Sequence, residues 1–312
     1  MEVFESIFSE YALVFPKPYH AFNSVDFNVL NQNKCDEIKF LLFKSKKNRL
    51  GLIGGVTDKT LKSPFSAPFG GFSFLDINVG IDYVEDAFEC FDKYCFEEGL
   101  KRVDLTFPPT FYQESFISKV VNTAYRCNYQ ISKIDINHSF FLLDFNDQYV
   151  NYTLTYNARK NLKISFEKNL AFRKGIGEND LVIAYEVIKQ NRAARGFPLR
   201  MSFDEVYKTS KILKTDCFIV SYSDLSIASA IVFHVAEGIV QVIYWGDDPK
   251  WMSNRTMNFL SFKLFEYYKE TGINVVDIGP SSENSIPNHG LADFKESIGC
   301  RVHLKYTLSK EY

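Results

Sequence analysis

The chain has 312 residues, 46% apolar, 24% charged and 16% aromatic, which excludes disorder, collagen-like repeats and disulfide scaffolds. Its length suggests about two domains. With 36 Lys and Arg against 38 Asp and Glu the net charge is −2, which argues against nucleic-acid binding through net field while leaving room for a local basic face.

The six cysteines (Cys35, Cys90, Cys95, Cys127, Cys217 and Cys300) include no C-x-x-C pair and read as free thiols in a reducing compartment. The opening MEVFESIFSEYALVFP carries acids where a signal peptide needs basic residues. The most apolar stretch, Ile227 to Trp245, is broken by His234, Glu237 and Gly238, so it reads as a hairpin. These features predict a cytoplasmic chain without stable membrane insertion.

In chain order, Glu37–Lys44 and Arg49–Val56 are β-rich runs about a polar turn, predicting a hairpin. Thr57–Gly71, with two prolines and two glycines, reads as a loop. Apolar spacing predicts a helix over Tyr83–Glu98, a strand at Val103–Phe107, a helix at Tyr112–Tyr125 and strands between Ile131 and Phe145. Helices follow at Thr155–Asn169 and Asn179–Ala194, and Ser202 with Glu205 forms a capping box for a third. Cys217–Tyr222, Ile227–Ala236 and Ile239–Trp245 are strands joined by two-residue turns. A helix at Asn254–Glu270, a strand at Asn274–Ile278, a short helix at Gly290–Ile298 and a strand at Arg301–Leu308 complete the chain. The first half shows a looser version of this order, so two copies of one mixed α/β unit are expected, residues 1–148 and 149–312.

Four stretches carry a resemblance. Asn157-Ala-Arg-Lys-Asn-Leu-Lys, Asn191-Arg-Ala-Ala-Arg-Gly-Phe, Val276-Asp-Ile-Gly-Pro and, most specifically, Gly290-Leu-Ala-Asp-Phe-Lys-Glu-Ser-Ile-Gly resemble motifs of the FemAB-like branch of the GNAT acyltransferases. The resemblance implies two tandem GNAT-like domains and acyl or aminoacyl transfer to a small-molecule or peptide-like amine without a metal. It implies catalytic roles for Phe294 and Lys295, the ammonium lying near developing negative charge. Aminoacyl-tRNA is the donor it implies. An acyl-CoA donor is less favoured, because the pyrophosphate loop of GNAT enzymes is replaced here by Gly246-Asp-Asp-Pro-Lys-Trp-Met. Two alternatives fit the same residues: a GNAT-fold ligand-binding or accessory protein without chemistry, and an acyl-CoA-dependent N-acetyltransferase with an atypical pyrophosphate loop. No heptad-rich arm occurs between residues 160 and 215.

Further candidates for substrate binding come from local pattern. Phe69, Gly70, Gly71 and Phe72 form an aromatic, glycine-bearing loop that would either let backbone approach a ligand closely or be an aromatic-packed connection. Arg159 opens a basic run with Lys160, Lys163, Lys168, Arg173 and Lys174 that would meet phosphates or form a solvated face. Arg192 and Arg195, with Arg200, would form an anion site or pin a loop to nearby carboxylates, and Tyr244 and Trp245 end a central strand. His289 borders the strongest motif. The five histidines show no metal-ligand spacing.

Overall fold

In the computed structural model, which describes residues 1–312, the chain opens on β1 (Glu2–Glu5), α1 (Phe8–Val14) and α2 (Val25–Leu30). None of these was expected from periodicity. Each is too short for a repeating pattern to declare itself. The expected hairpin follows as β2 (Glu37–Lys44) and β3 (Asn48–Thr57), then β4 (Thr60–Ser63), β5 (Phe72–Phe74), α3 (Ile81–Glu97), β6 (Arg102–Thr106), α4 (Glu114–Arg126) and β7 (Gln130–Phe141). The stretch read as one loop thus contains a strand. Leu61 is buried, and β4 runs parallel to β6 while pairing antiparallel with β3.

The second half has α5 (Tyr156–Phe166), β8 (Ala171–Lys174), α6 (Gly177–Arg195), α7 (Phe203–Ile212), β9 (Thr215–Tyr222), β10 (Leu225–Ala236), β11 (Ile239–Asp247), α8 (Thr256–Glu270) and β12 (Val275–Pro280). Two-residue strands β13 (Ser282–Glu283) and β14 (Ile286–Pro287) precede α9 (His289–Ser297) and β15 (Arg301–Glu311). The capping box is present: Glu205 N donates to Ser202 Oγ at 3.3 Å, and Ser202 N donates to the Glu205 carboxylate at 2.8 Å. No helix is long and apolar enough to cross a membrane.

The chain divides into two units, one holding Met1–Ile136, Ser282–Ile286 and His303–Tyr312, the other Asn137–Ser281 and Pro287–Val302. The boundary therefore differs from the single expected seam at 148–149. The end of β15 belongs with the first unit because Thr307 to Glu311 pair antiparallel with Thr106 to Arg102. In the first unit the strands run β1-β2-β3-β4-β6-β15, with β5 on β3. Helix α3 turns Tyr83, Val84, Ala87, Phe88, Phe91, Tyr94 and Cys95 inward at helical spacing, leaving Asp82, Asp86, Glu89 and Glu97 outside.

In the second unit β8, β9, β10 and β11 are antiparallel neighbours, and β12 runs parallel to β11 after the crossover helix α8. The end of β7 pairs antiparallel with β12. The core is ring-rich, as composition required: Phe140 stacks on Phe265 with centroids 4.0 Å apart, and both are fully buried.

Packing in the first unit is tight enough to test. A Cβ on Gly51 of β3 would lie 2.5 Å from the Phe15 ring and 2.7 Å from the Tyr11 hydroxyl. Gly51→Ala should destabilise the protein by about 1–3 kcal/mol, through overpacking. The check is a lower urea midpoint at unchanged m-value.

Candidate active site

Strand β12 is buried up to the exposed Pro280 and apolar except for Asp277, which has no exposed surface at all. A buried carboxylate needs partners, and three converge on it. Asn137 Nδ2 donates to it at 2.8 Å, Gln241 Nε2 at 2.7 Å and the backbone N–H of Gly279 at 2.9 Å. Beyond Asp277 the pairing with β7 slips: Asp277 faces Ser139, yet Gly279 faces His138, leaving Ile278 as an extra residue. This β-bulge needs Gly279 at φ +74°, which a residue without Cβ adopts freely.

The bulge forms a seat for Lys295. From α9 the Lys295 ammonium donates to the carbonyls of Gly279 and Pro280, both at 2.9 Å. The side chain is 1% exposed. Burial pushes its pKa down to about 8, the Arg192 guanidinium opposing its charge as well, while Cys300 and Asp277 act the other way. Helix α9 is set by its cap, since Asn288 Oδ1 accepts from Leu291 N at 3.1 Å. The helix ends at Gly299, where φ is +89° and an added Cβ would overlap Thr153. The glycines at both ends of the seat are therefore conformational requirements.

The sequence candidates divide clearly. Phe294 is half-buried and meets Trp245 edge-on, with centroids 5.9 Å apart. Tyr244 is buried, and its hydroxyl accepts from Met201 N at 3.0 Å. The Arg192 guanidinium lies 5.9 Å from the Tyr244 ring centroid, its Nε buried without a partner, and burial lowers its pKa. Lys295, Phe294, Trp245, Tyr244 and Arg192 thus belong to one part of the second unit. Arg195 is engaged by Asp247 at 3.4 Å. Arg159 is half-buried on α5, and His289 is exposed at the first residue of α9.

Two expectations are corrected. Phe69 and Phe72 are 1% and 2% exposed, packed against His20, Phe22 and Tyr112, and against Phe43, Phe88 and Phe91 respectively. The space beside Gly70 is filled by Ser63 and Pro64, and that beside Gly71 by Phe107. This segment is an aromatic-packed connection, its small residues making room for protein atoms and not for a ligand. The basic run is likewise partly dispersed, since Arg173 binds Asp180 at 2.6 Å and Lys174 binds Asp216 at 2.6 Å.

Pattern reading missed Asn137, His138, Gln241 and Ser281. The sole signal was Asp277, a charge inside the apolar run Val275–Ile278. Four amides of the Gly246–Met257 loop are engaged by protein oxygens. Asp248 N donates to Ile227 O, Lys250 N to Asp248 Oδ1, Trp251 N to Asp248 O and Arg255 N to Met252 O, at 2.7–3.0 Å. Asp247 is buried and accepts from Thr256 Oγ1 at 2.8 Å. A pyrophosphate would find these four N–H groups already engaged and the carboxylates of Asp247 and Asp248 beside them. No group of three His, Cys, Asp or Glu side chains is placed to hold a metal ion.

The Lys295 seat has a signature in stability. Its folded pKa lies near 8 against an ordinary 10.5, so between these values the unfolded chain binds more protons. Wild type should gain stability relative to Lys295→Met as pH rises from about 8 to 10.5, by at most about 3 kcal/mol, and the difference should be flat below pH 8. Denaturant melts of both proteins across this range measure it.

No family model and no curated protein matches the chain. Solved structures do. FemX superposes with a TM-score of 0.72 at 10% identity, over 100% of this chain and 98% of that one. L-PGS from Bacillus licheniformis gives 0.62 at 13% identity, covering 97% and 92%. A tandem GNAT protein from the clavulanic acid biosynthesis pathway gives 0.52 at 11% identity, covering 97% and 87%. The chain shares the fold of FemX and of the tandem GNAT protein.

Proposed function

We propose that this protein transfers an acyl or aminoacyl group to an amine acceptor, with the Lys295 ammonium stabilising the tetrahedral intermediate. The observation that carries the reading is the ammonium's placement: nearly water-free, fixed by two backbone carbonyls, and on the motif expected to supply it. An ammonium has three donors. Two hold Gly279 and Pro280, which leaves one to meet an oxyanion. In a site that excludes water such a donor contributes about 3–4 kcal/mol to lowering the barrier.

The step balances without a covalent enzyme intermediate. The acceptor's amine lone pair forms the new N–C bond at the donor carbonyl, and the carbonyl oxygen becomes an oxyanion beside Lys295. As it collapses, the bond to the donor's ester oxygen breaks and the proton lost by the amine ends on that oxygen. Phe294 and Trp245 supply an apolar wall, and Arg192 a second positive charge, for a donor of this polarity. An aminoacyl ester of tRNA is preferred over acyl-CoA as donor, because four amides of the Gly246–Met257 loop are already hydrogen-bonded and the loop carries Asp247 and Asp248 where a pyrophosphate would sit.

The test is incubation with a charged tRNA pool and, separately, acetyl-CoA and longer acyl-CoAs, each with amine acceptors. Transfer from aminoacyl-tRNA should fall about 10²–10³-fold in kcat in Lys295→Met, with KM little changed. The rate should depend on the ammonium form and decline above pH of about 8. Saturable acyl-CoA binding with turnover would overturn the donor assignment, and unchanged turnover in Lys295→Met would overturn the role of Lys295.

A further inference from the structure

Behind the seat lies a polar chain that the acyl-transfer step itself does not use. His138, on β7 opposite the bulge, has no exposed surface, and Ser281, directly after Pro280, is 2% exposed. His138 Nδ1 lies 3.0 Å from Ser281 Oγ, and Nε2 lies 3.5 Å from Glu296 Oε1. In the neutral ring whose Nε2–H donates to the Glu296 carboxylate, Nδ1 accepts from the Ser281 hydroxyl. Ser281 is also fixed through its backbone, its carbonyl accepting from Asn288 N at 2.8 Å. The Gly279–Pro280–Ser281 turn is thus gripped at both ends, by Asp277 through the Gly279 N–H and by His138 through Ser281.

The geometry points to His138 as a positioning residue for Lys295: through the Nδ1–Ser281 bond it holds the two carbonyls on which the ammonium sits. Glu296, the residue next to Lys295 on α9, fixes the imidazole orientation from the other side. This deepens the role given to Lys295 above and rests on it for its catalytic meaning. The mechanical part is independent, since it concerns only how the seat is held.

The two ring nitrogens can be separated by substitution. Asn in place of His presents an amide oxygen, an acceptor, near the Nδ1 position, and Gln presents an amide N–H, a donor, near Nε2. His138→Asn should keep the Ser281 bond and lose Glu296; His138→Gln should do the reverse. A purely space-filling histidine predicts that the smaller Asn is the more damaging. Positioning through Ser281 predicts the opposite order.

The readout is titration of the Lys295 side chain by NMR in lysine-labelled protein, its resonance assigned by absence in Lys295→Met. Asp277, Cys300, Arg192 and Glu296, the charged or titratable groups around the ammonium, stay in place in all variants. In His138→Gln and Ser281→Ala the loosened turn should admit water and raise the Lys295 pKa toward its ordinary value by about one unit. In His138→Asn it should stay within about 0.3 unit of wild type. The same order is expected in kcat, with KM nearly constant. If His138→Gln does not fold, Ser281→Ala against His138→Asn makes the same comparison. Equal titration in all variants, or a larger shift in His138→Asn than in the others, overturns the inference. Unmoved titration alongside loss of transfer in Lys295→Met would remove only the positioning role. The shift without any wild-type transfer would leave the seat standing and remove the proposed function.

Discussion

Burying an ammonium is the constraint on which the second unit is organised. A lone buried charge is costly, and the chain offsets that cost with carbonyls rather than with a carboxylate partner: Gly279 and Pro280 accept from Lys295. Carbonyls along a regular strand point to neighbouring strands, so presenting two in sequence to a helix requires that the ladder be broken. The bulge at Ile278–Gly279 breaks it, and the positive φ at Gly279 aims the carbonyls. Everything around the bulge serves to hold it, with Asp277 fixing one end and Ser281 the other.

That choice has an electrostatic consequence. A direct carboxylate partner would have neutralised Lys295 and raised its pKa. Carbonyl dipoles satisfy its donors without cancelling its charge, and burial then lowers the pKa to about 8. The group stays cationic at neutral pH yet unpaired, the state a stabiliser of developing negative charge requires. Asp277 is present but is held by Asn137, Gln241 and the Gly279 N–H.

Much of this was legible in the sequence, and the illegible part has a physical reason. Apolar spacing located α3, α6, α8 and strands β9 to β12, and the Gly290–Gly299 motif located Lys295. What could not be read was convergence. Asn137 reaches Asp277 across 140 residues of chain, and His138 reaches Ser281 across 143. Neither pair leaves a local pattern. The Phe69–Phe72 segment shows the opposite difficulty. Glycines between aromatics announce close packing, but the pattern does not say whether ligand or protein fills the space, and here Phe107, Ser63 and Pro64 fill it. The short strands β4 and β8 fell below the length at which alternation can be recognised.

The central claim is that the Lys295 ammonium faces the carbonyl oxygen of a bound acyl donor. The direct measurement is a crystal structure of the protein with a non-hydrolysable, amide-linked aminoacyl-tRNA 3′-end analogue. The account predicts the aminoacyl carbonyl oxygen within about 3 Å of Lys295 Nζ, with the ammonium still on the Gly279 and Pro280 carbonyls. An aminoacyl group bound with its carbonyl away from Lys295 would contradict it.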